Sequence, residues 1–166
     1  YYVFLKISID WPESLLTPAI LMGNTVVFKP SENTPMTGKA LYEIYNRYLP
    51  KGVINLLQGA EEVGEQIINS DIDMVAFVGS QAVGKIIMEA CSKKLNRLVL
   101  ELGGKDPMII LKDADLSKVV PYAVHGSLRN SGQVCVSVER IYVEDKIAAE
   151  FEKLVLEEVK KYRVGN

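Results

Sequence analysis

Apolar positions along this chain switch repeatedly between the two-residue repeat of strands and the three-to-four-residue repeat of helices, which predicts a sheet covered by helices. Thr25-Val26-Val27-Phe28-Lys29 is a β-branched run that predicts a strand, and Thr34 then offers an N-cap hydroxyl ahead of Pro35 at a first-turn position. Leu41, Ile44, Tyr45 and Tyr48 recur at helical spacing until Pro50 and Gly52 end the pattern, and Val53 to Leu57 predicts the next strand. The plan repeats with Glu61 to Asn69 as a helix and Met74 to Val78 as a strand. A helix whose apolar face carries Val83, Ile86, Ile87 and Ala90 follows, then a strand from Leu98 to Leu102. Such units give an α/β fold with parallel strands, right-handed crossovers and ligands at the carboxyl ends of the strands.

The glycine pair Gly103-Gly104 is a candidate domain boundary. Beyond it, Pro107 to Leu111 predicts a strand, and a helix begins near Asp115 and ends near Arg129. Val138 to Val143 predicts a strand, and Ile147, Phe151, Leu154, Val155 and Val159 stripe a last helix through Lys146 to Lys161. Two strands and two helices are too few for a closed core, so this region is expected to be incomplete or to need a partner. At the other end, Tyr1-Tyr2-Val3-Phe4-Leu5-Lys6 reads as a strand. It is too short to span a membrane and lacks a signal-peptide cleavage pattern.

Composition narrows the classes further. Of 166 residues, 48% are hydrophobic and 24% charged, the balance of a soluble globular protein. The net charge of -2, with both signs interspersed, provides no basic stripe, so neither nucleic acid nor a membrane is an expected partner. Cys91 and Cys135, the two cysteines, lie far apart and outside any C-x-x-C spacing. No disulfide framework, zinc site or other metal is expected, and a reducing, cytoplasmic setting fits.

Candidate chemistry gathers at predicted strand ends. Cys135 follows Asn130-Ser131-Gly132-Gln133-Val134, small and flexible residues that would expose a thiol at a tight turn. Taken alone, a cysteine is more often a small buried hydrophobe, and Cys91, late in a helical pattern, reads as packing. Glu101 ends a strand just before Leu102-Gly103-Gly104-Lys105. A carboxylate there is either paired with a cation such as Lys105 or Arg97, or turned toward a site that uses it. Phe77-Val78-Gly79-Ser80 ends a strand and opens a helix, a corner where an anion can meet the helix N-terminus, though a plain tight turn explains it too. No GxGxxG fingerprint occurs. Lys29 and Glu32 share one loop, as solvated surface charges often do, and the lone His125 makes no metal site by itself.

In this order the segments resemble the aldehyde dehydrogenase superfamily, from Met22 onward. Gly23-Asn24-Thr25-Val26-Val27-Phe28-Lys29-Pro30-Ser31-Glu32 looks like the family's cofactor-ribose segment, Leu49-Pro50-Lys51-Gly52-Val53-Ile54-Asn55 with Gly59 its adenine-side turn, and Phe77-Val78-Gly79-Ser80 its pyrophosphate-side motif. Glu101-Leu102-Gly103-Gly104-Lys105 is similar to the general-base motif, and Gly132-Gln133-Val134-Cys135 to the nucleophile motif, at the family's own spacing.

The resemblance implies a Rossmann-like cofactor domain over residues 1–103 and the beginning of a second α/β catalytic domain over 104–166. It implies Cys135 as nucleophile and Glu101 as general base. Lys29, Ser31, Glu32, Gly59, Gly79, Ser80, Val83, Leu102 and Gly103 would surround NAD, with NADP as the alternative. The implied reaction oxidises a small-molecule aldehyde to a carboxylic acid through a thiohemiacetal and a thioester on Cys135. Glu101 favours hydrolysis of the thioester over transfer to coenzyme A. A homo-oligomer is implied for the full-length form. One departure concerns the oxyanion: the family places an asparagine after a tryptophan, whereas Trp11 is followed by Pro12 and Glu13. That departure and the missing family segments favour a second reading, a catalytically silent fragment serving as a binding or structural module.

Overall fold

The computed structural model describes residues 10–163, so the strand expected at Tyr1–Lys6 lies outside the described residues. The chain divides into two compact units between Leu102 and Gly103. In the first, helix α1 (Asp10–Leu21) precedes strand β1 (Val26–Phe28), helix α2 (Pro35–Tyr48), strand β2 (Ile54–Leu56) and helix α3 (Glu61–Asn69). Strand β3 (Met74–Val78), helix α4 (Gln81–Ser92) and strand β4 (Arg97–Glu101) complete it. β1 pairs with β2 and β3 with β4, both in parallel, as strands joined through a helix must.

Helix α1 is an addition to the sequence reading, in which Pro12 and Pro18 obscured the helical period. Pro12 falls in the first turn, where its missing N–H breaks no helical bond, and Gly23 closes the helix at a φ of 80°. The Gly23 N–H bonds the Ile20 carbonyl and the Asn24 N–H the Ala19 carbonyl, a Schellman ending that needs a left-handed residue. Leu16 of α1, Phe28 of β1, Leu41 of α2 and Ile54 of β2 form one buried cluster, each burial removing apolar surface worth roughly 1.5–3 kcal/mol.

Two expected helix faces are corrected. On α2, Leu41 is buried, but Ile44 and Tyr48 are exposed while Gly38 takes the buried position. A β-carbon on Gly38 would lie 2.4 Å from the Pro30 ring, so the helix approaches the chain after β1 more closely than a larger residue allows. On α4 the buried face is Gly84, Ile87 and Cys91, with Val83 and Ile86 exposed, because the Leu102 side chain packs against Gly84. Thr34 stands at the N-cap of α2, yet its hydroxyl makes no capping bond.

The second unit contains strand β5 (Asp106–Ile110), helix α5 (Leu116–Leu128), a short left-handed turn (Arg129–Gly132), strand β6 (Val138–Val143) and helix α6 (Asp145–Val159). β5 and β6 pair in parallel, with a register shift between Asp106 and Pro107. Asp115 caps α5 by accepting from the Ser117 N–H, while the Ser117 hydroxyl and then the Lys118 ammonium, both bonded to the carboxylate, do most to hold its carboxyl below the usual carboxylate range. Ile110, Val120, Ala123 and Phe151 form the core of this unit. Both helices therefore turn apolar residues onto one face of the β5–β6 pair, although Val159, at the end of the expected stripe on α6, is exposed. The uncovered apolar surface lies on the opposite face, where the register partners Ile109 and Tyr142 are exposed side by side.

Candidate functional site

In the first unit, two groups of the expected cofactor residues assemble at the carboxyl ends of strands. Lys29 leaves β1 with its side chain partly buried, and its Nζ donates to the Gly59 carbonyl at 2.9 Å and the Pro30 carbonyl at 3.2 Å. Glu32 extends into solvent with a carboxylate oxygen 3.9 Å from that Nζ. The lysine thus ties the exit of β1 to the turn after β2 and is more than a solvated surface charge. Gly59 has a φ of 153°, and a β-carbon there would come within 2.3 Å of Val63. Ser31 turns the loop, its hydroxyl accepting from the Asn33 N–H and its carbonyl from the Thr34 N–H.

The second group lies where β3 and β4 end. The Gly79 N–H donates to the Glu101 carbonyl at 3.0 Å, continuing the ladder in which Val78 pairs with Glu101. The Phe77 ring closes over Gly79, leaving no room for a β-carbon. Ser80 caps α4 by accepting from the Val83 N–H at 3.3 Å, and Val83 is exposed on the first turn. Leu102 packs on Gly84, whereas Gly103 opens the second unit with no atom within 4 Å of the place its β-carbon would take. The first group pairs a partly buried cation with a carboxylate that can accept from ribose hydroxyls, and the second offers the positive end of a helix to an anion, so each has the chemistry to meet part of a dinucleotide.

Glu101 departs from one of its two expected arrangements. Its residue is exposed at the end of a half-buried strand, and Lys105 is ion-paired with Glu139 instead. Arg140 also holds the Lys105 carbonyl, with Nε at 3.0 Å and Nη2 at 2.6 Å.

Cys135, in the second unit, sits at the first corner of a turn closed by the Ser137 N–H donating to the Val134 carbonyl at 2.9 Å, and it is half-buried. The approach to this turn is unusual. Asn130, Ser131 and Gly132 are consecutively left-handed, with φ of 53°, 59° and 73°, and the two non-glycine residues cost roughly 1–3 kcal/mol each. Asn130 Nδ2 donates to the Gln133 carbonyl at 3.0 Å and stabilises this shape. Asparagine tolerates left-handed backbone better than most residues, a signal present in the sequence. Sequence reasoning missed two further residues, Ser127 and Ser137, whose hydroxyls tie α5 to the segment after Cys135. Lone serines carry no pattern that would mark them.

Cys91 is 1% exposed and burial raises its thiol pKa, an effect that the positive charge of Lys94 partly offsets. His125 is exposed on α5. Among the described residues no group of three or more His, Cys, Asp or Glu could hold a metal, and no helix is long and apolar enough to cross a membrane.

Comparison with known proteins identifies relatives of the chain. The model of the aldehyde dehydrogenase family matches residues 12–166. Human aldehyde dehydrogenase 1A1 is 46% identical over 153 residues, covering 90% of this chain and 30% of the human protein. The betaine aldehyde dehydrogenase of Staphylococcus aureus, solved with NAD+, superposes with a TM-score of 0.86 at 39% identity, covering 92% of this chain and 31% of that one. Aldehyde dehydrogenase C of Pseudomonas syringae, solved with NAD+ and octanal, gives a TM-score of 0.85 at 37% identity, covering 90% and 32%. The chain therefore spans about a third of the length of these relatives. With the family match running from Pro12 to the last residue and the parallel strand pairs superposing on solved members, this chain belongs to the aldehyde dehydrogenase family.

Proposed function

We propose that this chain carries the NAD-binding region and the nucleophile segment of an enzyme that oxidises an aldehyde to a carboxylic acid. Residues 1–103 serve the cofactor and 104–166 open the catalytic domain. The observation that carries the reading is the turn at Cys135, which lifts a thiol to a corner of the backbone inside a chain of this family. NAD, when bound, supplies the hydride acceptor for the oxidation. Lys29, Ser31, Glu32 and Gly59 hold the adenosine side, while Gly79, Ser80 and Val83 meet the pyrophosphate at the start of α4, and Leu102 and Gly103 border the reactive end. The Cys135 thiolate adds its sulfur to the aldehyde carbon, and the acyl group stays on that sulfur as a thioester. Glu101 then takes a proton from the water that attacks the thioester, releasing the acid and regenerating the thiolate. Its exposure, without an ion-pair partner among the described residues, leaves the carboxylate available for that role.

The two free cysteines suit a reducing compartment, and with it a cytoplasmic location; the full-length protein is read as a homo-oligomer. The test is turnover of the full-length protein with NAD and a panel of aldehydes that includes octanal, followed by absorbance of the reduced cofactor. Activity lost in Cys135→Ala, with NAD binding retained, is the expected result. No turnover with any aldehyde, or equal turnover in that variant, overturns the reading.

A further inference from the structure

Two hydroxyls join α5 to the chain on the far side of Cys135. Ser137, only 3% exposed, donates from Oγ to the Gly126 carbonyl at 3.1 Å. Ser127 donates from Oγ to the Val138 carbonyl at 2.9 Å. The bonds run in opposite directions between neighbouring residues, one from the strand side to the helix and one from the helix to the strand. Gly126 lies in the last turn of α5, where carbonyls lack a helical partner, so the Ser137 bond also satisfies an end that the helix leaves open.

We propose that Ser127 and Ser137 act as one clasp that positions Cys135; this rests on the reading of Cys135 as nucleophile. Only Val136 separates Cys135 from Ser137, and Ser137 both closes the Cys135 turn through its backbone N–H and anchors it through its side chain. The other arm of the loop lies against both partners, since a β-carbon on Gly132 would stand 3.1 Å from the Ser127 backbone carbonyl and 4.0 Å from the Ser137 hydroxyl. The clasp thus grips both the left-handed run before Cys135 and the turn that contains it. Left-handed asparagine and serine persist only where the surroundings over-determine them, and the two serine bonds fix the ends of the run that the Asn130–Gln133 bond holds from within. The sulfur is held relative to the end of α5 instead of drifting with a loop that would otherwise relax.

The experiment uses the full-length protein and a double-mutant cycle of Ser127→Ala, Ser137→Ala and both together, with Cys135→Ala as reference. Each single change should lower kcat about 10-fold, since small misplacements of a reacting group carry penalties of this kind, and leave the KM for NAD within about twofold. The double variant should be no more than about twofold worse than the weaker single, because opening either bond already opens the clasp. Ser137→Thr, which keeps the hydroxyl, should recover most of the loss. Wild-type kcat in both single variants overturns the proposal, as do strictly multiplicative losses, which indicate two unrelated structural bonds. If Ser137→Ala does not fold, the partly exposed Ser127→Ala decides alone, and wild-type kcat there overturns the clasp. Full turnover in Cys135→Ala is a different failure: it removes the functional reading itself and the positioning role with it.

Discussion

The carbonyl oxygen of Cys135 occupies the space beside Gly104, such that a β-carbon on that glycine would come within 2.6 Å of it and within 2.7 Å of an Asp106 carboxylate oxygen. The chain before β5 and the turn bearing the thiol are therefore in contact through bare backbone. A methyl group at this place has to push the Cys135 peptide away. Gly104→Ala is expected to destabilise by about 1–3 kcal/mol, the usual penalty of overpacking, and to cut turnover of the full-length enzyme ~10–100-fold by moving the sulfur. Gly103→Ala, with open space around it, should leave the melting temperature unchanged. Thermal melting and initial rates compare the two, and equal melting temperatures would mean that the loop yields freely.

The two cysteines should separate in an alkylation experiment. Cys135 is half-buried at a turn, whereas Cys91 is 1% exposed and its thiol is pushed up by burial. Near neutral pH, iodoacetamide should label Cys135 first, read by peptide mass spectrometry over time. Equal or inverted rates argue against an accessible thiol at position 135.

Cys91 also sets a pH dependence. Its folded pKa is raised, so the folded state holds the proton more tightly than the unfolded chain does. The resulting stabilisation is complete below the unfolded thiol value, about 8.5, and is lost as pH rises through the higher folded value. Denaturant midpoints measured from neutral pH into the alkaline range should fall more steeply for the wild type than for Cys91→Ala. Parallel slopes in the two proteins would assign the alkaline loss to other groups.

Glu32 is the expected discriminator between cofactors. Its exposed carboxylate stands 3.9 Å from Lys29 Nζ, and in the proposed cofactor site it accepts from a ribose 2′-hydroxyl and repels a 2′-phosphate. Calorimetry on the full-length protein should find NAD bound more tightly than NADP, with Glu32→Gln narrowing the gap. An unchanged ratio in the variant would show that the carboxylate faces away from the ribose.

Much of the fold was legible because the elements are short, regular and bounded by Gly, Pro and capping residues. Glu61–Asn69, Met74–Val78 and Val138–Val143 fall at the bounds that their periodicity indicates. What the pattern misjudged was which side of a helix faces inward. Gly38 and Gly84 carry no hydrophobicity, yet they mark the faces that come closest to their neighbours, so counting apolar residues turned α2 and α4 partly outward. The pairing of Lys105 was equally hidden, since Glu139 is distant in sequence and meets it only across the β5–β6 pair. Around Cys135 the residue types announced a turn, while the left-handed backbone and the serine bonds depend on where α5 ends.

The parallel pairing has a consequence for the order in which the chain acquires structure. Val26 finds its partner only at Ile54, Met74 at Arg97 and Asp106 at Val138. None of these three ladders can close as a local hairpin, and each first strand must wait for a whole crossover to follow it. On the ribosome, Val26–Phe28 emerges with its backbone groups bonded to water and its apolar side chains uncovered until α2 and β2 have been made. The same delay recurs for β3 and β5, giving nascent chains three successive windows in which a chaperone or a neighbouring nascent chain can reach an unpaired strand.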